Sequence, residues 1–361
     1  MGLFGKFWDR IAPASKPPQL EGKGAAAIDD YIARRIGRNE PGLALAVLKD
    51  GSVAHAAAYG LADVRRGTAV KTNTIFHLAS CGKQFTGLGL LMLAEERRLS
   101  LDDYVGKYLP GLAGFGPGVT IRRLLHQTSG IRDLYDEVGV RAVLSRCEQP
   151  RNEDIVRTYS ELGCPMAGHG IRPGDAFSYS NSGYELLGSV IERVSGQSYH
   201  DFFQSRVFDR LGMNDTFSVP DPRVNSARTA KGYTLAQFGT VAEATPGEFD
   251  ELVGAGSFYT TVSDLCTHDR ALGSNVLVSE ASMREALTPG RTNDGRETEY
   301  GLGWYVGVLN GMQIAEHQGE WAGFYSYIRR YRDQPLSIFA LSNNPRLDLP
   351  EIVDATAATF R

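Results

Sequence analysis

The stretch FHLASCGKQFTGLGLLMLAEERR, residues 76 to 98, sets Ser80 three residues before Lys83. A serine hydroxyl is a poor nucleophile until a base takes its proton. Residues three apart on a helix share a face, so a helix starting here brings the lysine amine toward the hydroxyl. An ammonium cannot accept a proton. Either burial or neighbouring positive charge lowers the lysine pKa from about 10.4, or the lysine stays charged and activates another base. A helix start also offers free backbone N–H groups and partial positive charge where a carbonyl oxygen becomes an oxyanion. Taken alone, Ser-x-x-Lys arises often by chance, as an N-cap serine ahead of a surface lysine. Here the run continues through Leu88, Leu90, Leu91, Leu93 and Ala94, so the serine heads a core-like helix.

Two further stretches carry chemistry. In RPGDAFSYSNSGYELLG, Tyr179, Ser180 and Asn181 follow Pro173-Gly174 and precede a helix predicted from near Gly183. A phenolate is a strong base, and a nearby lysine lowers a phenol's pKa. Asn181 can hydrogen-bond a substrate amide or the lysine; the plain alternative makes Tyr179 a buried aromatic and Asn181 an N-cap. In EHQGEWAGF, His317-Gln318-Gly319 ends a strand. Gly319 lets a substrate backbone lie against the strand edge, and the amide of Glu320 is placed to be a second oxyanion donor beside that of Ser80. The plain alternative is a surface histidine near a strand end.

The elements that must hold these residues follow from turn signals and periodicity. Asp50-Gly51 and Asn310-Gly311 each sit between two apolar runs, a strong hairpin signal. Two more strands flank a turn at Arg332–Pro335. Helices are predicted over AAAIDDYIARRIGRN, ending near Asn39, and over LPEIVDATAATF. Between these ends, helical patterns fall at 82–98, 119–126, 152–162, 182–196, 199–211 and 262–273. The expected fold class is α+β: an antiparallel sheet built from both chain ends (24–70 and 296–361) with flanking helices, plus a mostly helical inserted domain (71–295). Residues 1–23 form an amphipathic segment and linker ahead of it. A site is expected in the cleft between the two parts.

Bulk properties narrow the classes. The 361 residues carry a formal net charge of −4 and no basic run, which argues against a nucleic-acid partner. Cys81, Cys147, Cys164 and Cys266 show neither metal-ligand spacing nor the density of a disulfide scaffold. Cys81 reads as a small core filler, and His126 as a residue ending a helix and bonding locally. The histidines show no paired metal motif, and no cofactor is implied. VSGQSYH lacks the second glycine of a Gly-x-Ser-x-Gly elbow, which argues against an α/β-hydrolase. Leu3, Phe4, Phe7, Trp8 and Ile11 share one helical face, either packing on the protein or a partner chain, or making weak membrane-surface contact through residues 1–11. With no apolar export signal visible, the expected location is cytoplasmic.

Taken in order, Ser80-Cys81-Gly82-Lys83, Tyr179-Ser180-Asn181 and His317-Gln318-Gly319 resemble the three motifs of the serine β-lactamase and penicillin-binding-protein superfamily. Tyr-x-Asn in the second motif is similar to the class C branch. LSLDDYVGKYLP, VTIRRLLHQTSGI, RLGMNDT and GAGSFYTTVSDL support the resemblance, which spans roughly residues 25 to 355. It implies a β-lactamase/transpeptidase-like fold. It also implies Ser80 as the acylated nucleophile, Lys83 and Tyr179 sharing the proton work, Asn181 orienting substrate and lysine, and the Ser80 and Glu320 amides as the oxyanion hole.

The third motif departs from Lys-Thr-Gly. His317 is charged only part of the time near neutral pH and Gln318 has no hydroxyl, so a substrate carboxylate loses a fixed partner. His-x-Gly versions resemble D-aminopeptidases, carboxylesterases and related amidases. The expectation is therefore a serine hydrolase acting on a small ester, amide or short peptide. A class C-like β-lactamase or D,D-carboxypeptidase is the alternative, and a catalytically silent binding or regulatory protein is the alternative from another class.

Overall fold

Asp50 (φ 51°) and Gly51 (φ 72°), and again Asn310 (φ 51°) and Gly311 (φ 80°), take the positive φ values that two-residue hairpin turns require. The turns join β1 (Leu43–Lys49) to β2 (Ser52–Tyr59), and β3 (Tyr305–Leu309) to β4 (Met312–Trp321). β5 (Phe324–Tyr331) and β6 (Leu336–Ser342) complete a six-stranded antiparallel sheet in the order β3-β4-β5-β6-β1-β2. The computed structural model describes residues 24–145, 147–162, 170–245 and 247–361. The amphipathic stretch 1–11, nearly all of the linker before α1, Cys164 and His169 lie outside these residues.

The central strands are apolar almost throughout because both faces are covered. Along β1, Leu43, Leu45 and Val47 pack under α1 (Ala25–Ala33) and α5 (Leu349–Phe360), while Ala44, Ala46 and Leu48 join the opposite core. β6 alternates the same way, with Ile338 and Ala340 outward and Phe339 and Leu341 inward. The inward core runs without a break from the sheet into the helical part of the chain. α2 (Lys83–Glu95) lies within it and is buried from Lys83 through Leu93, which explains its weak amphipathic pattern.

Several boundaries differ from the sequence expectation. The first helix stops at Ala33, short of Asn39. The helix expected around Lys83 is regular only from that residue; Ala79–Gly82 form a 3₁₀ turn before it. The run 199–211 is helical but contains a π turn at Gln204–Phe208. Two short helices, Glu137–Leu144 and Glu280–Ala286, were not foreseen. Nor was a small sheet inside the mostly helical part, in which Phe258–Thr260 pairs with Phe76–His77 and Phe217–Ser218. α4 (Val262–Leu272) comes from that same part yet packs on β1 and β6. No described helix is long and apolar enough to cross a membrane.

Candidate active site

Ser80 sits in the 3₁₀ turn, which packs against β4, and Lys83 opens α2. The Lys83 amine is fully buried and touches three oxygens: Ser80 Oγ at 3.1 Å, Asn181 Oδ1 at 2.8 Å and the Ala255 carbonyl at 2.7 Å. A carbonyl can only accept, and so can the amide oxygen of Asn181. Those two take two N–H groups. A neutral amine then keeps one lone pair, and the remaining neighbour is the Ser80 hydroxyl. Burial lowers the Lys83 pKa to about 7, against the opposing pull of Asp133 and Glu185.

Asn181 is the first residue of α3 (Asn181–Ser195). The helix is capped by Ser180, whose Oγ accepts from Gly183 N at 3.0 Å, and this fixes where the Asn181 side chain leaves the backbone. One turn along, the Glu185 side chain is fully buried and accepts from Tyr135 OH at 2.5 Å. Burial pushes this carboxyl up to about 8. Asp133, also raised by burial, accepts from Ser182 N at 2.9 Å and from Ser180 Oγ at 3.2 Å.

Tyr179 brings its phenol to the same place, hydrogen-bonded to Ser80, with its ring centroid 4.9 Å from Lys83 Nζ. The sequence led us to expect a phenol acidified by lysine. Instead, burial dominates and raises its pKa above the ordinary value. The resting residue is a neutral phenol.

His317 lies beneath the site with only 1% of its surface exposed. Its Nε2 is 3.0 Å from Tyr300 OH and its Nδ1 is 2.6 Å from the Gln318 carbonyl. The carbonyl must accept, so Nδ1 carries the proton and Nε2 accepts from Tyr300. Burial and the Lys83 cation push its pKa down to about 3. The part-time charge expected from sequence is thus replaced by a neutral ring at physiological pH, with both nitrogens already engaged.

Strand geometry places the Glu320 amide. β4 and β5 join through Ala322 and Gly323, and Trp321 pairs with Phe324. The closing pair of a two-residue hairpin exchanges both backbone hydrogen bonds, and the pattern alternates from there. The backbone groups of Glu320 therefore point to the other edge. β3 covers that edge only from Met312 to Glu316, leaving 317–321 open toward Ser80. The Glu320 side chain shares the outer face with Glu316, so the residue offers its amide alone. Gly319 is held tightly: a Cβ there would lie 2.5 Å from Ser326 Oγ and 2.9 Å from Ser80 N.

Sequence reasoning missed the Ala255 carbonyl and its neighbour Gly256, where a Cβ would meet the Ala79 carbonyl oxygen at 2.5 Å. The small-residue run GAGS was the available signal. Asn152 fixes this segment, bonding the Glu185 carbonyl at 2.7 Å and Val253 through both N (2.9 Å) and O (2.8 Å). His126 bonds the distant Tyr300 carbonyl at 3.0 Å rather than locally. Cys81 is buried, donating to the His317 carbonyl at 3.0 Å. Among the described residues no cluster of potential metal ligands occurs.

A family model described as Beta-lactamase matches residues 28–359. Penicillin-binding protein 4* of Bacillus subtilis (strain 168) is 34% identical over 309 residues, 81% of this chain. The chain spans 66% of that relative's length, just under two thirds. The octameric penicillin-binding protein homologue from Pyrococcus abyssi superposes with a TM-score of 0.79 at 26% identity, covering 92% of this chain and 76% of that one. D-amino acid amidase from Ochrobactrum anthropi SV3 gives a TM-score of 0.71 at 22% identity over 92% of this chain and 97% of that one, a likeness of fold.

Proposed function

The chain belongs to the beta-lactamase family of serine hydrolases, and from that premise we propose that it hydrolyses a small ester, amide or short peptide through an acyl-enzyme on Ser80. The observation that carries this reading is the Lys83 amine, buried and held among Ser80 Oγ, Asn181 Oδ1 and the Ala255 carbonyl. Neutral Lys83 takes the Ser80 proton as Oγ attacks the substrate carbonyl. The Ser80 and Glu320 amides receive the developing oxyanion, each such donor being worth about 10²–10³ in rate. The Tyr179 phenol, bonded to Ser80 and beside the amine, passes its proton to the leaving group and takes back the proton held by Lys83, which returns Lys83 to the neutral amine. Water then attacks the ester with Lys83 again as base, and Ser80 is regenerated. His317 acts as a positioning residue, its Nδ1–H holding the Gln318 carbonyl at 2.6 Å.

The neutral His317 also bears on substrate choice. It offers no charge to a substrate carboxylate, which supports esters, amides and aminoacyl derivatives over β-lactams and D,D-peptides. The test is a fluorophosphonate probe read by intact mass, with an ester screen beside it. Wild type is expected to gain one adduct, and Ser80→Ala to gain none and to turn over nothing. Tyr179→Phe is expected to lose about 10²–10⁴ in kcat. A wild-type chain with no adduct and no turnover of any ester or amide would instead indicate a binding protein.

A further inference from the structure

The cleft has two ends, and its residues distinguish them. Along β4 the inward face carries His317, Gly319 and Trp321 in turn. Tyr179 stands at the His317 end, their ring centroids 6.4 Å apart. Gly319 abuts Ser80 N, where the reacting carbonyl must sit. A phenol that protonates the leaving group fixes that group at the Tyr179 end. The acyl portion must then extend the other way, along the open edge of β4 toward Trp321.

What stands there is an aromatic wall. Tyr135 meets Trp321 edge to face with centroids 6.0 Å apart, and meets Phe249 at 5.1 Å. The two polar handles are already used: Trp321 Nε1 donates to Asp250 Oδ1 at 2.6 Å, and Tyr135 OH donates to Glu185. Both rings are thereby fixed in orientation, yet each remains only half-buried. Ring surface with its polar groups satisfied elsewhere offers a visitor apolar contact and edge-to-face geometry. Tyr135 is rooted beside the Lys83 cluster and Trp321 on the oxyanion strand, so their contact bridges the two sides of the cleft.

We propose that Trp321, Tyr135 and Phe249 form the acyl pocket and select substrates whose acyl group bears an aromatic or comparably bulky apolar ring. This rests on the serine-hydrolase reading and on Tyr179 marking the leaving-group side. The acyl chain is held by contact with the rings, while its carbonyl points back to the Ser80 and Glu320 amides. Asp250 and Glu185 lock the wall and take no part in bond making.

The experiment compares p-nitrophenyl acetate with p-nitrophenyl phenylacetate, each kcat/KM divided by its rate with hydroxide. Wild type is expected to favour the phenylacetyl ester by about tenfold or more, the scale on which apolar pockets discriminate. Trp321→Ala should cut that ratio about tenfold, while Trp321→Phe, which keeps a ring, should retain most of it. Melting temperatures check that both variants fold. A second series holds the acyl group as acetyl and changes the leaving group from p-nitrophenol to ethanol; Trp321→Ala should leave that ratio alone. A phenylacetyl ratio unmoved in Trp321→Ala overturns the pocket, and so does a change confined to the leaving-group series. Absence of Ser80-dependent turnover and of any acyl mass on Ser80 fails the hydrolase reading itself and takes the pocket with it.

Discussion

Lys83 is the residue on which burial and charge compete most directly. Removal from water favours the neutral amine, whereas Asp133 and Glu185 favour the ammonium, and burial wins. A base must be unprotonated, so the neutral fraction grows as pH rises through about 7. The expected kcat/KM profile therefore has an acid limb near neutral pH, climbing toward alkaline pH. Lys83→Arg keeps a cation and several donors but cannot be deprotonated. It should lose about 10²–10⁴ in kcat/KM, measured against an ester at pH 8. An arginine variant with a near-wild-type rate would remove Lys83 as the base. The pairing of Ser80 with Lys83, and the approach of Asn181, could be read from residue type and spacing. The directions of the Tyr179 and His317 shifts could not, because they depend on burial by segments distant in sequence. The Ala255 carbonyl was invisible for another reason: a backbone oxygen carries no residue identity.

At the scale of the element, β4 is one strand with two jobs. Its first half is paired on both sides, and its second half leaves one edge open toward Ser80. Gly319 sets how near that edge comes to Ser80. A methyl group there would sit 2.8 Å from the Leu78 carbonyl oxygen as well as close to Ser80 N, so strand and turn must separate. Gly319→Ala is expected to misplace the Glu320 amide and lower kcat by about 10²–10³, as the loss of one oxyanion donor does. Adduct formation at Ser80 should slow in step, as timed by intact mass; unchanged acylation would mean the strand edge has no part in the step. The hairpins were legible because Asp-Gly and Asn-Gly dictate backbone shape locally. Helices 137–144 and 280–286 are too short for periodicity to rise above their surroundings, and the small sheet formed through Phe258–Thr260 gathers strands of two or three residues that only tertiary contact selects.

For the molecule as a whole, the inward core joins sheet and helices into one unit, while α1 and α5 close the outer face. Ile352 on α5 is 1% exposed and belongs to the outer core, on the helix that packs over β5 and β6. Ile352→Ala should cost about 2–5 kcal/mol. In a denaturant titration its midpoint should fall by the same amount whether followed by tryptophan fluorescence or by loss of Ser80 labelling, because one transition melts both. Separated midpoints would show that the two parts unfold independently. The sheet also closes over a long reach: Gly42 N bonds Asn343 Oδ1 at 2.7 Å across 301 positions of sequence. A ribosome adds residues in order, so it delivers Ser80 and Lys83 long before the strand bearing the second oxyanion amide. Until β6 emerges, β1 has no partner on that flank and its apolar faces stay wet, the condition under which slow, non-local pairing exposes a nascent chain to aggregation. The proposed hydrolytic competence is accordingly among the last properties a growing polypeptide of this design acquires, and a stalled translation product carries Ser80 and Lys83 without the strand edge that faces them.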